Sequence, residues 1–410
     1  MEFTDSTANK ANKANKPNTD SIESKVNRIL SIGEEVIGGE NLANLLKNKS
    51  NVIAYDGFEP SGRMHIAQGL LRAHNTNKFV DSGVKFKFWV ADWFALMNLK
   101  LGGDLNKIQK AGEVMIETWK ACGMKLDAVD SDGKPMIEFI WSSKEINDRS
   151  DEYWKLVLDI GTKFSLNRIK KCTQIMGRKE EADNAELLLE LNDEVTKLFG
   201  DIEGENYDKP HPRKSHIIGL LEKLTQTAPQ ELAASQIFYP VMQCADVFFL
   251  QCDIVSLGMD QRKCNTLALE YCDKIKRKNK PIVISHHMIM GLDGSDKMSK
   301  SNPDNTVFMD DTEADVKRKI KKAFCEPQNI IKNPLLDWAK HIVFPLVGHM
   351  CIPENIKYNE PEMIFNSFDD ISQAFVEGKI QPKALKDSMT NHIIGLVKPV
   401  QEKLKESLNK

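Results

Sequence analysis

Long hydrophobic runs are missing from the 410-residue sequence, and this excludes a membrane-spanning helix. Such a helix needs about 20 consecutive apolar residues, and no stretch of the sequence reaches that length. No apolar segment follows the initial methionine, so the sequence predicts no secretory signal. With 41% hydrophobic and 28% charged residues, the chain can bury more than one core and stay in solution. We therefore expect a cytoplasmic protein.

Metal-binding cysteine patterns are also missing, although the chain has eight cysteines. None forms a Cys-x-x-Cys pair or has a nearby histidine at metal-ligand spacing. We expect reduced, mostly buried thiols. His286 and His287 are adjacent on a predicted strand and should face opposite ways, so a joint metal site is not expected there. The sequence predicts no tightly bound metal.

A strong charge imbalance is the third absence. The formal net charge of −3 argues against a bulk polyanion binder but leaves room for local patches. Basic residues cluster at 168–171, 274–280 and 317–322. Any one cluster is more typical of a solvated helix face, whereas three of them in a nearly neutral chain favour a local phosphate-contact surface.

The order of predicted elements defines the fold class. Residues 1–23 repeat Ala-Asn-Lys with few apolar residues, which is typical of a disordered tail. Apolar strands are then predicted at 52–55, 86–91, 137–141, around Ile254 and at 281–285, with helical stretches between them. This alternation predicts an α/β fold with a Rossmann-type, doubly wound parallel sheet in residues 24–310. Its ligand should lie beyond the carboxyl ends of the strands.

Two further regions depart from that alternation. The polar stretch at about 179–228 predicts a helical insertion, structural or interfacial rather than catalytic. From residue 311 to 410 strand patterns vanish and helical patterning with proline punctuation follows. We predict a separate, mainly helical C-terminal domain there.

The first segment that could take part in binding or catalysis runs from 55 to 68. Gly57 and Gly62 follow a strand and precede a helix that begins near His65, so backbone and helix N-terminus could approach a phosphate. Gly62 could equally serve only the turn. Taken alone, one histidine in such a place is more typical of a structural role.

The second segment runs from 291 to 303. Lys297 and Lys300 lie three residues apart among glycines and hydroxyl side chains, which predicts a mobile loop that grips a polyanion. A solvated surface loop would not explain Met298 between two charged groups. The sequence contains no Gly-x-Ser-x-Gly elbow that would supply a nucleophile.

Together the two segments resemble the signatures of class I aminoacyl-tRNA synthetases. His65-Ile66-Ala67-Gln68 resembles His-Ile-Gly-His in degenerate form, and 297–301 matches Lys-Met-Ser-Lys-Ser in full. Gln68 can donate a hydrogen bond but carries no charge, so the resemblance leaves His65 with more of the phosphate contact. It implies catalytic roles for His65, Lys297 and Lys300. The implied ATP-binding residues are Gly57, Gly62, His65, Gln68, Lys297, Met298, Ser299 and Lys300.

Three segments, at 55–62, 239–246 and 258–263, are similar to tyrosyl-tRNA synthetases of the archaeal and eukaryotic cytosolic type. The resemblance implies that Tyr55 and Asp246 bind the tyrosine hydroxyl, while Tyr239, Gln243 and Gln261 surround its ammonium group. Spacing alone places Tyr239, Gln243 and Asp246 on one helix face. Asp246 could instead form a surface ion pair, although the apolar residues that follow it argue against exposure.

The resemblance implies a reaction and its partners. Tyrosine would be activated with ATP and Mg²⁺ and passed to the 3′ end of tRNA(Tyr) by a homodimer whose helical domain holds the anticodon. Lys321 and Lys322 are candidate tRNA-backbone contacts, or equally a solvated helix face. A non-catalytic RNA-binding relative and another adenylate-forming enzyme are the alternatives.

Overall fold

The computed structural model describes residues 20–173, 185–202, 216–221, 233–300, 302–354 and 361–408. Most of the predicted tail therefore lies outside the described residues. The first helix, Ile22–Leu30, begins one residue before the predicted end of that tail, because the Ser21 side chain accepts a hydrogen bond from the Ser24 amide and caps it.

Helices and strands alternate through the first three quarters of the chain. The strands are β1 (Glu35–Ile37), β2 (Ile53–Phe58), β3 (Lys85–Val90), β4 (Ile137–Trp141), β5 (Ile254–Gly258), β6 (Ile282–His286), β7 (Met350–Ile352) and β8 (Met363–Phe365). The α-helices are Ile22–Leu30, Leu42–Asn48, Arg72–Asp81, Asp92–Met97, Leu105–Ala121, Ser142–Asp148, Ser150–Lys163, Leu166–Lys170, Ala185–Ile202, Ala234–Phe249, Arg262–Lys274, Glu313–Lys321, Pro334–Trp338, Phe344–Val347, Phe368–Val376 and Pro382–Leu408. Wider π-helical turns occur at Ala67–Leu71 and Ala339–Val343.

Six strands form one sheet in the order β1-β6-β5-β2-β3-β4. Strands β2 to β6 are all parallel, so the predicted doubly wound α/β fold is confirmed. The sequence pattern does not predict β1, which pairs with β6 in the antiparallel sense. Three residues are too few to display a period of two.

The strand order reverses next to β2. The chain moves from β2 outward to β3 and β4, and then returns to place β5 on the other side of β2. This reversal leaves a crevice between the carboxyl ends of β2 and β5, where open parallel sheets bind ligands.

Side chains of β2 alternate between two hydrophobic cores. Ala54 and Phe58 pack into the core that contains Leu70 and Trp119, whereas Ile53 and Tyr55 join the core on the opposite face. Both faces of the strand are therefore covered, which explains its near-continuous apolar run. The eight cysteines are free, and five of them are buried, as the sequence predicts.

The C-terminal region departs from its prediction in one respect. The region is not free of strands, because β7 and β8 pair there as a two-stranded antiparallel ribbon. Trp338 and Phe375 of this region share one contiguous core with Ile284 of β6. The domain boundary at 310/311 and the insertion stay predictions, since much of 179–228 lies outside the described residues.

Within the described part of the chain, every helix is too short or too polar to span a bilayer.

Candidate active site

A cleft of about 630 Å³ opens over the carboxyl ends of β2, β5 and β6. It lies at the strand-order reversal, where the fold predicts a ligand. Most of the residues singled out in the sequence line it: Tyr55, Gly57, His65, Gln68, Tyr239, Gln243, Asp246, Gln261, Lys297, Met298, Ser299 and Lys300. The fold thus gathers segments up to 245 positions apart into one site.

Asp246 lies at the closed end of the cleft and is 1% exposed. Its Oδ1 accepts a hydrogen bond from the Tyr153 hydroxyl at 2.8 Å, whereas Oδ2 meets no donor among the described residues. The Trp89 indole lies near enough to favour the charged carboxylate but outside hydrogen-bond geometry. Burial raises the pKa of Asp246 well above its usual value, and Tyr153 partly offsets that effect. A second hydroxyl donor on Oδ2 would stabilise the anion further.

The Tyr55 ring fills the space above Gly57, two residues further along the strand. A Cβ atom on Gly57 would lie 2.9 Å from the Tyr55 hydroxyl oxygen, so a side chain at 57 would displace the phenol. Burial and the nearby Asp246 carboxylate raise the pKa of Tyr55, which keeps its hydroxyl protonated. Gly57 therefore preserves the position of a hydroxyl donor at this end of the cleft.

The helix Ala234–Phe249 contributes one polar face to the cleft. Tyr239, Gln243 and Asp246 all lie on it and are buried, as their spacing predicts. The Tyr239 hydroxyl donates to Glu59 Oε1 at 2.6 Å, and Gln243 Nε2 donates to Gln261 Oε1 at 3.2 Å. Buried acceptors with this arrangement suit a cation such as an ammonium group.

His65 begins the turn that follows β2. Its Nδ1 accepts a hydrogen bond from the Gln68 amide at 3.3 Å, which leaves Nε2 as the protonated nitrogen. Burial, together with the charges of Lys300 and Arg72, lowers the pKa of His65 to about 3. The side chain is therefore a neutral donor at physiological pH rather than a cation.

Met298 explains how the lysine loop is held. Its side chain is 6% exposed and packs into the main core, so it anchors the loop between the two lysines. Lys300 Nζ donates to Ser61 Oγ at 2.9 Å, and burial lowers the pKa of that ammonium to about 8. Lys297 Nζ lies 3.0 Å from Asp260 Oδ2. Both amines thus approach the cleft, while Ser301 lies outside the described residues.

Three of the predicted site residues lie away from the cleft. Gly62 has φ +100°, a left-handed conformation that a turn requires, and it does not line the cavity. Lys321 and Lys322 are exposed at the carboxyl end of the helix Glu313–Lys321. In that place they also complement the helix dipole.

Several charged groups in the cleft were missed from sequence, among them Glu59, Asp56 and Arg72. Glu59 accepts from Tyr239 and from Asn98, at 2.6 Å in each case, and burial raises the pKa of its carboxyl group. Asp56 pairs with Arg72 at 2.7 Å, and burial raises the pKa of Asp56 to about 7. Glu59 and Asp56 belong to the 55–68 segment and flank Gly57 closely. An acidic residue near this glycine could have indicated a site residue from sequence. Arg72 carried no such signal.

A cluster of His287, Asp337 and His341 brings three metal-ligand atoms within 4.8 Å of one another. The two rings stack 4.0 Å apart with planes 18° from parallel, so their lone pairs do not converge on one point. His287 instead bridges two carboxylates, Glu34 at 3.1 Å and Asp337 at 2.7 Å. Both carboxylates raise the pKa of His287 against the effect of burial. His287, which directly follows β6, thus connects the sheet to Asp337 of the C-terminal region.

Comparison with known proteins agrees with this geometry. The family model of class I tRNA synthetases (W and Y) matches residues 47–191 and 215–398. The cytoplasmic tyrosine–tRNA ligase 1 of Arabidopsis thaliana is 44% identical over 387 residues, covering 94% of this chain and 86% of that protein.

Two solved structures resemble the whole described fold. Leishmania major tyrosyl-tRNA synthetase in complex with tyrosinol has a TM-score of 0.74 at 38% identity and covers 93% of this chain. The present chain spans 50% of the Leishmania one. Pyrococcus horikoshii tyrosyl-tRNA synthetase complexed with L-tyrosine has a TM-score of 0.74 at 27% identity, covering 95% of this chain and 97% of that one.

The chain belongs to the class I aminoacyl-tRNA synthetases, in the family that comprises the tryptophan and tyrosine enzymes. It is an aminoacyl-tRNA ligase with the Rossmann-type fold of that class. Within the family it is a member of the tyrosine–tRNA ligases of eukaryotic and archaeal type.

Proposed function

We propose that the cleft joins tyrosine to ATP and that the chain then transfers the tyrosyl group to the 3′ end of tRNA(Tyr). The observation that carries this assignment is that the two ends of the cleft differ. The acceptor Asp246 lies at one end, and the donors Lys300 and His65 lie at the other. A tyrosine carboxylate oxygen attacks the α-phosphorus, and the bond to the departing pyrophosphate breaks. The step needs no protein nucleophile, so the protein contributes positioning and charge stabilisation.

At the tyrosine end, we assign recognition of the phenol to Tyr55 and Asp246. The Oδ2 of Asp246 accepts a hydrogen bond from the substrate hydroxyl, whose oxygen in turn accepts one from the Tyr55 hydroxyl. Tyr239, Gln243 and Gln261 surround the ammonium group, and the partly buried Glu59 behind Tyr239 adds negative charge. One part of this pocket binds the phenol hydroxyl and the other binds the ammonium group, so the amino acid enters in one orientation.

At the phosphate end, we assign charge stabilisation to His65, Lys297 and Lys300. His65 donates through Nε2, Lys300 supplies positive charge beside Ser61, and Gln68, Met298 and Ser299 complete the ATP contacts. The negative charge of the ATP triphosphate also calls for Mg²⁺, which would be held by the pyrophosphate oxygens rather than by a protein cage.

For transfer RNA, we assign the anticodon to the helical C-terminal region. Lys321 and Lys322 are exposed, which suits contacts with the sugar-phosphate backbone.

The Arabidopsis relative is named cytoplasmic, and we assign the same compartment to this protein.

We also propose a homodimer, supported by an apolar surface on the helix Ser150–Lys163. Trp154 and Leu158 lie one turn apart and are 40% and 66% exposed, and Leu166 nearby is 54% exposed. A patch of large apolar side chains in solvent favours an interface. Light scattering should give twice the 46.4 kDa mass of one chain, and a 46.4 kDa species at micromolar concentration would contradict the dimer.

Exchange of labelled pyrophosphate into ATP tests the assignment. We expect exchange with tyrosine and much less with phenylalanine, followed by charging of tRNA(Tyr). A non-catalytic RNA-binding relative would bind the tRNA without exchange, and another adenylate-forming enzyme would exchange with a different acid. No exchange with tyrosine would sink the proposal.

A further inference from the structure

The segment Asn305–Asp311, directly after the lysine loop, contacts both signatures. It pairs with the first signature as a short antiparallel bridge: the Ile66 amide donates to Val307 at 3.0 Å, and the Met309 amide donates to Met64 at 2.8 Å. The position of this segment is therefore fixed relative to His65.

Thr306 connects that segment to the lysine loop. Its side chain is fully buried, and its Oγ1 accepts a hydrogen bond from the Ser299 amide at 3.1 Å. The same oxygen lies 3.1 Å from the Ser299 carbonyl oxygen and 2.7 Å from Asn305 Oδ1, so its single proton has two alternative acceptors. The loop is thus held at Met298 by packing, and the Thr306 hydroxyl fixes the Ser299 amide immediately before Lys300.

Lys319 holds Thr306 from the helical region. Its Nζ donates to the Thr306 carbonyl oxygen at 2.8 Å and to Asp311 Oδ2 at 2.6 Å, and both charged side chains are less than 5% exposed. Asp311 also accepts from Arg63 at 2.9 Å, which ties it to the first signature. A buried ion pair is costly unless all its partners are supplied, and here they come from three separate segments.

We propose that Thr306 is a positioning residue for the second signature, and that Lys319 and Asp311 hold it in place. The hydroxyl of Thr306 sets where the Ser299 backbone lies and therefore where the Lys300 amine meets ATP. This role rests on the proposed function, because it requires Lys300 to contact phosphate. Through Lys319 of the helix Glu313–Lys321, the hydrogen bond to the Thr306 carbonyl oxygen also links the helical region to the catalytic loop.

Thr306→Val tests the proposal because valine keeps the branched shape and removes the hydroxyl. We expect kcat for adenylate formation to fall by about 10- to 100-fold, the cost of misplacing a charged group near the reaction centre. KM for tyrosine should change less than about twofold, since the tyrosine end of the cleft is untouched. Thr306→Ser restores the hydroxyl and should recover most of kcat.

Thr312→Val is the matched control. Thr312 lies six residues further along and caps a helix through the Asp315 amide, at 3.1 Å, without touching the loop. Its loss should lower the melting temperature slightly, because a helix cap is removed, and leave kcat unchanged. If Thr306→Val is folded and keeps full kcat, or if Thr306→Ser does not recover activity, the positioning role is wrong.

Hydrogen exchange on the unaltered protein provides a second test should Thr306→Val fail to fold. The Ser299 amide should exchange far more slowly than an unprotected amide. Exchange at the unprotected rate would overturn the proposal even in an active enzyme. Absence of tyrosine-dependent pyrophosphate exchange in the unaltered protein would instead overturn the proposed function.

Discussion

Lys300→Ala is expected to slow tyrosyl-adenylate formation by about 10²- to 10³-fold, the range found when one preorganised charge-stabilising donor is removed. The Lys300 amine is largely buried and lies 2.9 Å from Ser61 Oγ, at the phosphate end of the cleft. Charge placed there acts on the α-phosphorus transition state and not on the tyrosine ring. Tyrosine affinity should therefore stay near that of the unaltered protein.

Single-turnover adenylate formation and tyrosine binding by calorimetry measure the two effects separately. Lys321→Ala is a matched control, because it removes an exposed lysine outside the cleft and should leave adenylate formation unchanged. Lys297→Ala should cost less than Lys300→Ala, since Lys297 is paired with Asp260 and is more exposed. A collapse of tyrosine affinity in Lys300→Ala would contradict the loop assignment.

The pH profile gives the same prediction a second readout. The free enzyme needs Lys300 charged, and its pKa of about 8 means that kcat/KM for ATP should fall as pH rises through that value. His65, with a pKa of about 3, stays neutral above pH 5, so no limb is expected near 6.5. Lys300→Arg keeps its charge at higher pH and should move the alkaline limb upward. A limb near 6.5 that disappears in His65→Gln would show that His65 acts as a cation.

Local pattern predicts the sheet and the two signatures but not what supports them. The strands at 53–58, 85–90 and 137–141 each bury a continuous or alternating apolar run, so their sequences carry their own signal. β1, β7 and β8 have three residues each and form only because a partner strand lies beside them. Pairing of that kind depends on tertiary position and leaves no period in the sequence.

Charged residues show the same division. The basic cluster at 317–322 predicts one solvated or phosphate-binding face, yet Lys319 is 3% exposed and paired with Asp311. Tyr153, which donates to Asp246, precedes it by 93 positions and carries no motif. A lysine or tyrosine that serves a distant residue looks, in sequence, like any other lysine or tyrosine. Spacing within one helix, as at Tyr239 and Asp246, is what sequence can predict.

Asp246→Asn should remove most of the discrimination between tyrosine and phenylalanine. Phenylalanine leaves the Asp246 oxygen buried and unpaired, which is why a site that binds a hydroxyl rejects the analogue without it by roughly 10⁴- to 10⁵-fold, a range already established for tyrosyl-tRNA synthetases. Asparagine keeps the shape and can still accept from Tyr153 through its carbonyl oxygen, but it presents an amide donor where the substrate hydroxyl needs an acceptor. We expect kcat/KM for tyrosine to fall by about 10²-fold or more, with that for phenylalanine little changed.

Asp159→Asn is a control for the loss of a hydrogen bond between a tyrosine side chain of the protein and a carboxylate. Asp159 accepts from the Tyr271 hydroxyl at 2.6 Å, much as Asp246 accepts from Tyr153, but it lies outside the cleft. Its replacement should leave the ratio of kcat/KM for the two amino acids unchanged. If Asp246→Asn lowers both values equally, the carboxylate only supports the fold, and the Tyr55 hydroxyl must then carry the selectivity. Tyr55→Phe would in that case abolish the discrimination that Asp246→Asn had left intact.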